Sequence, residues 1–427
     1  MNDRVAIVDG VRTPFAKRGG ALAPFDAVDL GTSVVGELVE RNGLSGTEID
    51  QVVFGRVILD VERPNIAREI VLNSHLPDDV EAYSVSEACI TSYRTTVNAA
   101  ASIAGGNVDV VVAGGVDTLS HAPVVVSDNL QVTLNKVADA RSIGDRARLL
   151  AELRPGDLVP RSPDLEEPTT GETMGEAAER MAKINGIGRD EQDDFAHRSH
   201  SLAAQAWERG DFDDEVMTLV APPDYTEIIA RDRTVRYDTD RREYRKLSPV
   251  FDRKHGTLTA GNSTPLTDGA AALLMMSEAR ALDMGLEPLG YLRSSAFTAV
   301  DPSDQLLIGP VYATPVALDR AGLKLGDVDL IDMHEAFAAQ MLAVIKSFES
   351  EDFARSKMGR PEPIGEIDWN ILNVNGGSIA IGHPFAATGA RQISQTLREL
   401  RRRDEEVALL TACAAGGLGA AMVLEAA

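Results

Sequence analysis

Four residues in this 427-residue chain join reactive side chains to local settings that suit catalysis: Cys89, His334, His383 and Cys413. Cys89 lies in Ser86-Glu87-Ala88-Cys89-Ile90-Thr91-Ser92, just ahead of a segment with helical periodicity. A thiol at a helix N-terminus feels unsatisfied N–H groups and the positive end of the helix dipole. Both favour the thiolate and lower its pKa from ~8.5. A buried structural thiol is the competing reading, and the helix-start position leaves the two evenly matched. Cys413 ends an apolar run in Thr411-Ala412-Cys413-Ala414-Ala415-Gly416-Gly417-Leu418-Gly419. Its glycines let the backbone approach a ligand closely and present N–H donors. The alternative is a small apolar residue beside a tight turn.

His383 sits in the glycine-studded segment from Gly376 to Arg391, which leads into a helix. The segment looks like a phosphate cradle, but no Gly-Lys-Ser/Thr follows, so the Walker pattern is absent. His334 opens His334-Glu335-Ala336-Phe337 directly after the apolar run Leu330-Ile331-Asp332-Met333. The carboxyl ends of strands are where open α/β sheets place ligands. The plainer readings are helix capping for His334 and a solvated or capping side chain for His383. His334 and Glu335 lack the ligand spacing of a zinc-binding helix. Two cysteines in the whole chain are also too few for a Cys-based zinc site of usual composition. No metal is therefore expected. His75, His121, His197, His200 and His255 show no chemical context and read as surface or packing residues.

The elements that must position these residues come in pairs. Gly43-Leu44 followed by Glu48-Ile49-Asp50 and an apolar run parallels Gly322-Leu323 followed by Asp327-Val328-Asp329 and an apolar run. Each pair continues into an amphipathic helix, with Val97, Ala100, Ala101 and Ala104 on one face of the first. Ala390, Ile393, Leu397 and Leu400 share one face of the second. Strands at 108–113 and 407–410 follow, each running toward a Gly-Gly pair. This order predicts a duplicated α/β unit, in which Cys89 and His383 hold equivalent positions ahead of equivalent helices. Between the halves, residues 121–250 are rich in charge, Pro and Asp, with two helical patterns carrying Met174, Ala177, Ala178, Met181 and Phe195, Leu202, Ala203, Ala206. They read as an insertion packed over the core. The expected division is 1–120 for the first half, 121–250 for the insertion, 251–280 for completion of the first half, and 281–427 for the second half.

Composition excludes several classes. A net charge of −24 argues against a nucleic-acid or anionic-membrane surface. An apolar content of 44 % excludes wholesale disorder. No apolar run approaches the ~20 residues of a transmembrane helix. The N-terminal run Val5-Ala6-Ile7-Val8 is of strand length, far short of a signal-peptide core, so a cytoplasmic protein with free thiols is expected. The cluster Arg231, Arg233, Arg236, Arg241, Arg242, Arg245 and Lys246 has two readings. One is a patch for an anionic cofactor; the other, slightly favoured, is a solvated face balanced by Asp232, Asp238, Asp240 and Glu243.

Together, Cys89 with Ser92, His334-Glu335-Ala336-Phe337, Gly382-His383-Pro384 and Cys413 with its glycines resemble the four signature loops of thiolases. The resemblance runs essentially end to end. It takes in Val11-Arg12-Thr13-Pro14-Phe15, Met174-Gly175 with Ala178-Glu179, Gly256-Thr257-Leu258-Thr259-Ala260-Gly261-Asn262 and Asp268-Gly269-Ala270-Ala271. Tyr93, His334 and Ala415 stand where most thiolases carry Gly, Asn and Gly. The His-Glu-Ala-Phe and Cys-Ala-Ala-Gly-Gly variants resemble the thiolase (β) subunits of fatty-acid oxidation complexes.

The resemblance implies a five-layered α-β-α-β-α sandwich with an inserted loop domain. It implies CoA-dependent cleavage of 3-oxoacyl-CoA, with Cys89 as nucleophile, His383 as its base and Cys413 as the second acid/base. His334 with His383, and the backbone N–H groups of Cys89 and Ala415, would serve two oxyanions. Met174, Thr264 (or its neighbour Ser263), Leu266, Ala336 and Phe337 match substrate-lining positions. CoA would be a substrate rather than a bound cofactor, and no tightly bound cofactor is implied. The expected partners are a second copy, in a homodimer or homotetramer, and a hydratase/dehydrogenase α subunit. The rival readings are a biosynthetic acetoacetyl-CoA thiolase, another condensing enzyme, or a lipid-carrier or scaffold protein that kept the fold. The retained second cysteine and the four loops argue against the last two.

Overall fold

In the computed structural model, residues 4–160 and 166–427 are described; residues 1–3 of the first half and 161–165 of the insertion lie outside them. The first half comprises β1 (Val5–Arg12), α1 (Ala27–Arg41), β2 (Gln51–Gly55), α2 (Ile66–Asn73), β3 (Glu81–Val85), α3 (Thr91–Ala104) and β4 (Val110–Asp117). The insertion contributes α4 (Asp128–Asp139), α5 (Ile143–Ala151), α6 (Met174–Ile184) and α7 (Arg189–Arg209), and β5 (Thr267–Ser277) then returns to the first half. The second half runs β6 (Gly290–Ala299), α8 (Gly309–Ala321), β7 (Leu330–Met333), α9 (Ala338–Glu349), α10 (Thr388–Arg403), β8 (Val407–Ala414) and β9 (Leu418–Ala426).

Strand pairing shows the duplication directly. In the first half β1 and β5, and β5 and β4, pair antiparallel, while β4–β2 and β2–β3 pair parallel. In the second half β6–β9 and β9–β8 pair antiparallel, β8–β7 parallel, and Leu372 bridges to Ile331 in parallel beyond β7. The correspondence extends to an irregularity. The register slips between Ile7 and Asp9 in β1 and between Leu292 and Ser294 at the same place in β6. The halves join where Ala6 and Ile7 pair with Tyr291 and Gly290, giving one ten-stranded sheet whose tenth member is the two-residue strand Ala16–Lys17 paired with β5.

Side-chain alternation along the strands builds the layers. Val110 and Val112 face the cluster formed with α1 and α2, whereas Val111 and Ala113 face the opposite way, into a cluster with α3 and α10. In β8, Ala408 and Leu410 face that same central cluster, while Leu409 faces the one containing Val311 of α8 and Met341 of α9. The order is therefore α1/α2, first half-sheet, α3/α10, second half-sheet, α8/α9: the five-layered sandwich that the resemblance implies. Both half-sheets are covered on both faces, which is why their strands read as continuous apolar runs.

Three expectations need correction. The first of the two strands does not stop at its glycines: β4 runs through Gly114 and Gly115 to Asp117, while β8 ends at Ala414, ahead of Gly416. Gly115 accommodates the backbone of Ala386, which a Cβ there would meet at 2.1 Å. The helix at Val97–Ala104 exists, but its buried face is the other one. Ala101 and Ala104 are exposed, whereas Ser92, Tyr93, Thr95, Thr96, Ala99 and Ile103 are buried. A helix sandwiched against a partner helix buries small and hydroxyl-bearing residues for close approach, and an apolar period does not detect that face. Among its described residues the insertion also holds α4, α5 and a short helix at Arg241–Tyr244 beyond the two expected, and Val132, Leu134, Ile143 and Leu150 of α4 and α5 are exposed.

The signature segments tie these parts together. Arg12 is fully buried between Glu215 and Asp232 of the insertion, with N···O distances of 2.7 Å to each. Glu179 of α6 accepts from the N–H groups of Thr257 and Leu258, all at 2.9 Å, and so docks the insertion on the chain that returns to the sheet. Where α3 meets α10, Ala390 N–H donates to Ser92 Oγ at 2.8 Å. A Cβ on Gly389 would meet Tyr93 Cδ2 at 2.4 Å and Ser92 Oγ at 2.9 Å. Gly389→Ala is therefore expected to lower stability by about 1–3 kcal/mol, the usual range for overpacking a tight core. Urea-unfolding midpoints of the variant and the parent check this.

Candidate active site

Cys89 is held on a sharp elbow. Ala88, just before it, has φ +45°, an uncommon left-handed conformation for a non-glycine residue. Thr91 Oγ1 pins the elbow, accepting from Glu87 N–H at 2.8 Å and donating to the Ala88 carbonyl at 2.7 Å. Cys89 is half-buried and packs against Ile58, Leu119 and Phe385. That apolar wall decides its protonation state. Burial pushes the thiol up to about 12, the Ala415 N–H opposes the rise, Asp117 adds to it, and Cys89's own N–H opposes it. The expectation of a lowered thiol pKa is overturned, because desolvation outweighs the helix end and the two N–H donors. The two donors are nonetheless placed on the sulfur.

The topology brings both histidines to Cys89. One ligand-type atom each from Cys89, His334 and His383 lies within 4.8 Å of the other two. The imidazole centroids are 4.1 Å apart. His383 lies 2.6 Å through Nδ1 from Thr388 Oγ1, at the first residue of α10, and its N–H donates to Thr267 Oγ1 at 2.8 Å. His334 lies 2.8 Å through Nδ1 from Ser378 Oγ. Arg391 donates to that same Ser378 oxygen at 3.3 Å and pairs with buried Asp332 at 3.2 Å. Both rings are buried, and both keep an Nε2 without a partner among the described residues. Burial, reinforced by Arg391, pushes His383 down to about 3; burial, His383 and Arg391 hold His334 well below its ordinary value. Both rings are therefore neutral near pH 7.

Cys413 is buried in β8 where the strand enters its turn, and burial, with Cys89 nearby, holds its thiol well above the usual range. Gly416 and Gly417 take φ of +80° and +70° in that turn. Glu167 of the insertion clamps it by accepting from Gly416 N–H at 3.0 Å.

The remaining candidates surround this centre less directly. Met174 begins α6 and is half-buried. Thr264 Oγ1 donates to the Ser378 carbonyl at 2.7 Å, and its N–H to the Ala336 carbonyl at 3.0 Å, so it ties the His334 and His383 segments together. Ser263 Oγ instead donates to the Thr259 carbonyl at 2.8 Å. Leu266 is 40 % exposed, and its backbone bridges to His383. Ala336 and Phe337 are buried, with the Phe337 ring edge-on to Phe251. The basic cluster is largely paired: Arg241 with Asp190 and Asp194, Arg242 with Asp240, Arg245 with Asp190, Lys246 with Glu243. This fits the balanced-face reading, although Asp232 serves Arg12 instead.

Sequence reasoning missed Thr388, Ser378, Arg391 and Asp332, which orient the histidines, and Asp117, which accepts from Val57, Ile58 and Ala386 N–H at 2.8–3.0 Å. Thr388 follows His383 by five residues, a signal that was present. Glu167 and Asp117 lie far along the chain from their targets and gave none. A thiol with so high a pKa reacts in proportion to its small thiolate fraction. Alkylation of Cys89 by iodoacetamide should thus rise about tenfold per pH unit from pH 6 to 9 without levelling. A plateau with its midpoint below pH ~8.5 would show a resting thiolate instead.

Comparison with known proteins agrees with this geometry. Family models for the thiolase N-terminal and C-terminal domains match residues 5–279 and 286–426. A 3-ketoacyl-CoA thiolase of Yersinia pestis (strain Pestoides F) is 56 % identical over 425 residues, covering 100 % of this chain and 97 % of the relative. One from Yersinia pseudotuberculosis (serotype O:1b) matches to the same extent, 56 % over 425 residues with the same 100 % and 97 % coverage. The crystal structure of the Bacillus anthracis acetyl-CoA acetyltransferase superposes with a TM-score of 0.87 at 33 % identity, covering 100 % of both chains. With both domain models matched in order and full-length relatives on either side, the chain belongs to the thiolase family.

Proposed function

We propose that this chain is a 3-ketoacyl-CoA thiolase of fatty-acid β-oxidation, cleaving 3-oxoacyl-CoA with CoA into acetyl-CoA and a shortened acyl-CoA. The observation that carries the reading is the meeting of Cys89, His334 and His383 within 4.8 Å, with the Ala415 N–H on the same sulfur. A soft nucleophile beside a neutral imidazole and backbone donors is what attack on a ketone requires. The full-length relatives named as 3-ketoacyl-CoA thiolases support the substrate class.

In the proposed reaction the Cys89 sulfur attacks the 3-carbonyl while His383 Nε2 takes the thiol proton. The high thiol pKa argues for transfer during attack: negative charge passes to the carbonyl oxygen as it forms. The C2–C3 bond then breaks, leaving the acyl group on Cys89, and the acetyl-CoA carbanion takes a proton from Cys413. CoA enters and its thiol gives its proton to Cys413; its sulfur displaces the acyl group from Cys89, and the Cys89 sulfur regains a proton from His383. One oxyanion is served by His334 and His383, the other by the N–H groups of Cys89 and Ala415; a backbone donor tolerates Ala in place of Gly. Ser378 accepts from Arg391, so its own proton is free to point at His334 Nδ1 and leave Nε2–H as a donor. Met174, Thr264, Leu266, Ala336 and Phe337 are proposed to line the path of the pantetheine and acyl chain.

CoA acts as a substrate in this scheme, and the reaction uses no tightly bound cofactor. Homodimers or homotetramers, association with a hydratase/dehydrogenase α subunit and a cytoplasmic location complete the proposal, as does the division at residues 120, 250 and 280. Among the described residues no helix is long and apolar enough to cross a membrane. The structural likeness to an acetyl-CoA acetyltransferase keeps short-chain acetyl transfer as a second reading.

A CoA-dependent cleavage assay on 3-oxoacyl-CoA esters of several chain lengths tests the proposal and separates the two readings. Wild type is expected to release acetyl-CoA and Cys89→Ala to release none; activity retained in Cys89→Ala would remove the nucleophile assignment. Cys413→Ser should lose about 10²–10⁴-fold in turnover, the range for a lost acid/base. Acylated Cys89 should remain detectable by mass spectrometry in that variant. Its absence would take the second proton transfer away from Cys413.

A further inference from the structure

The triad that performs the proposed chemistry is also a ligand set. Cys89 offers a sulfur, and His334 and His383 each offer a ring nitrogen, with all three atoms within 4.8 Å of one another. Nδ1 of each ring is taken by a hydroxyl, Ser378 Oγ at 2.8 Å and Thr388 Oγ1 at 2.6 Å. That leaves two Nε2 atoms, both buried and without a partner among the described residues. Such hydroxyl partners do for a ring what outer-shell groups do in metal sites: they fix its plane, and with the proton on Nδ1 the Nε2 lone pair is free to bind. At His334 this requires the ring proton to move from Nε2, where the proposed reaction uses it, to Nδ1.

We propose that Cys89, His334 and His383 form an inhibitory site for a borderline divalent cation, Zn²⁺ above all, with no resident metal in the reaction itself. Metal binding rests on the ligand geometry alone, and its inhibitory effect rests on the proposed thiolase reaction. With metal–nitrogen and metal–sulfur bonds of about 2.1 and 2.3 Å, two ligands of one tetrahedral ion stand about 3.4–3.6 Å apart. Pairs at the 4.8 Å limit must therefore close by about 1.2–1.4 Å, through side-chain rotations of Cys89 and the two rings. A two-nitrogen, one-sulfur set suits Zn²⁺, Co²⁺ and Cu²⁺ and is poor for the oxygen-seeking Mg²⁺ and Ca²⁺. Three protein ligands leave the fourth position open, as in catalytic zinc sites. Binding forms a sulfur–metal bond, breaks the S–H bond and releases one proton to solvent; no electron moves. The bound ion occupies the sulfur lone pair and both Nε2 atoms together, so the nucleophile and its neighbours are all silenced by one event.

The test is titration of the full-length protein with Zn²⁺ by calorimetry, and with Co²⁺ by absorption spectroscopy, before and after Cys89 is alkylated with iodoacetamide. The expected result is one ion per chain, about one proton released, and a sulfur-to-cobalt charge-transfer band in the near ultraviolet. Alkylation should abolish all three. His334→Asn, confirmed as folded by circular dichroism, should weaken Zn²⁺ by at least about tenfold. His383→Gln serves if that variant does not fold. Unchanged affinity after alkylation would overturn the proposal, placing the ion on surface carboxylates of this chain of net charge −24. A cobalt complex without the sulfur band, or no binding at all, would overturn it equally.

Discussion

The contact on which this structure depends is the crossing of α3 and α10 in the middle layer. Ser92 accepts from the Ala390 N–H, and Gly389 lies flat against Tyr93. Two helices that start at one point deliver the residues just before them to that point. One start carries Cys89 and the other His383, so a single close approach brings together the proposed nucleophile and base from segments almost three hundred residues apart. Tyr93 extends the contact, donating to Gln392 at 3.0 Å, and Gln392 donates in turn to Asp332 at 2.8 Å. Asp332 pairs with Arg391, and Arg391 reaches Ser378 beside His334. The helix crossing and the orientation of the second histidine belong to one buried polar network. Such networks hold a unique arrangement when their members are satisfied.

Burial sets the electrostatic character of the site. Cys89, Cys413, His334 and His383 are all shifted toward their neutral forms, mainly by desolvation. A resting site with a protonated thiol and a neutral imidazole is quiet until a substrate supplies an oxygen on which charge can settle. The N–H groups of Cys89 and Ala415, which act on the sulfur, are the donors proposed to receive that charge. The insertion contributes here through Glu167, whose carboxylate holds the Gly416 N–H and so positions the turn that carries Ala415.

The insertion otherwise acts as a bracket. Arg12 at the end of β1 is buried between two of its carboxylates, and Glu179 of α6 holds the chain that returns to the sheet. Buried ion pairs of this kind add little net stability once desolvation is counted. Removing one partner strands the other charge, so they specify a single docking of the insertion on the sandwich.

Much of this was legible in the sequence. The duplication showed in the paired Gly-Leu-x-x-x-acidic strings, and the four reactive residues stood out because helix starts and strand ends are local events with local signatures. The buried faces of α6 and α7, and the buried stripe of α10, followed from apolar spacing alone. Tertiary structure decided what depends on neighbours distant in the chain. It chose the hydroxyl-bearing face of α3 as the buried one, because a helix pressed on another helix needs small side chains more than apolar ones. It placed Asp117, Glu167, Ser378, Arg391 and Thr388 around the centre, since hydrogen bonds across long loops leave no periodic trace. It also reversed the expected sign of the Cys89 shift. A helix N-terminus is visible in sequence, but the apolar wall of Ile58, Leu119 and Phe385 that desolvates the sulfur exists only once the chain has folded.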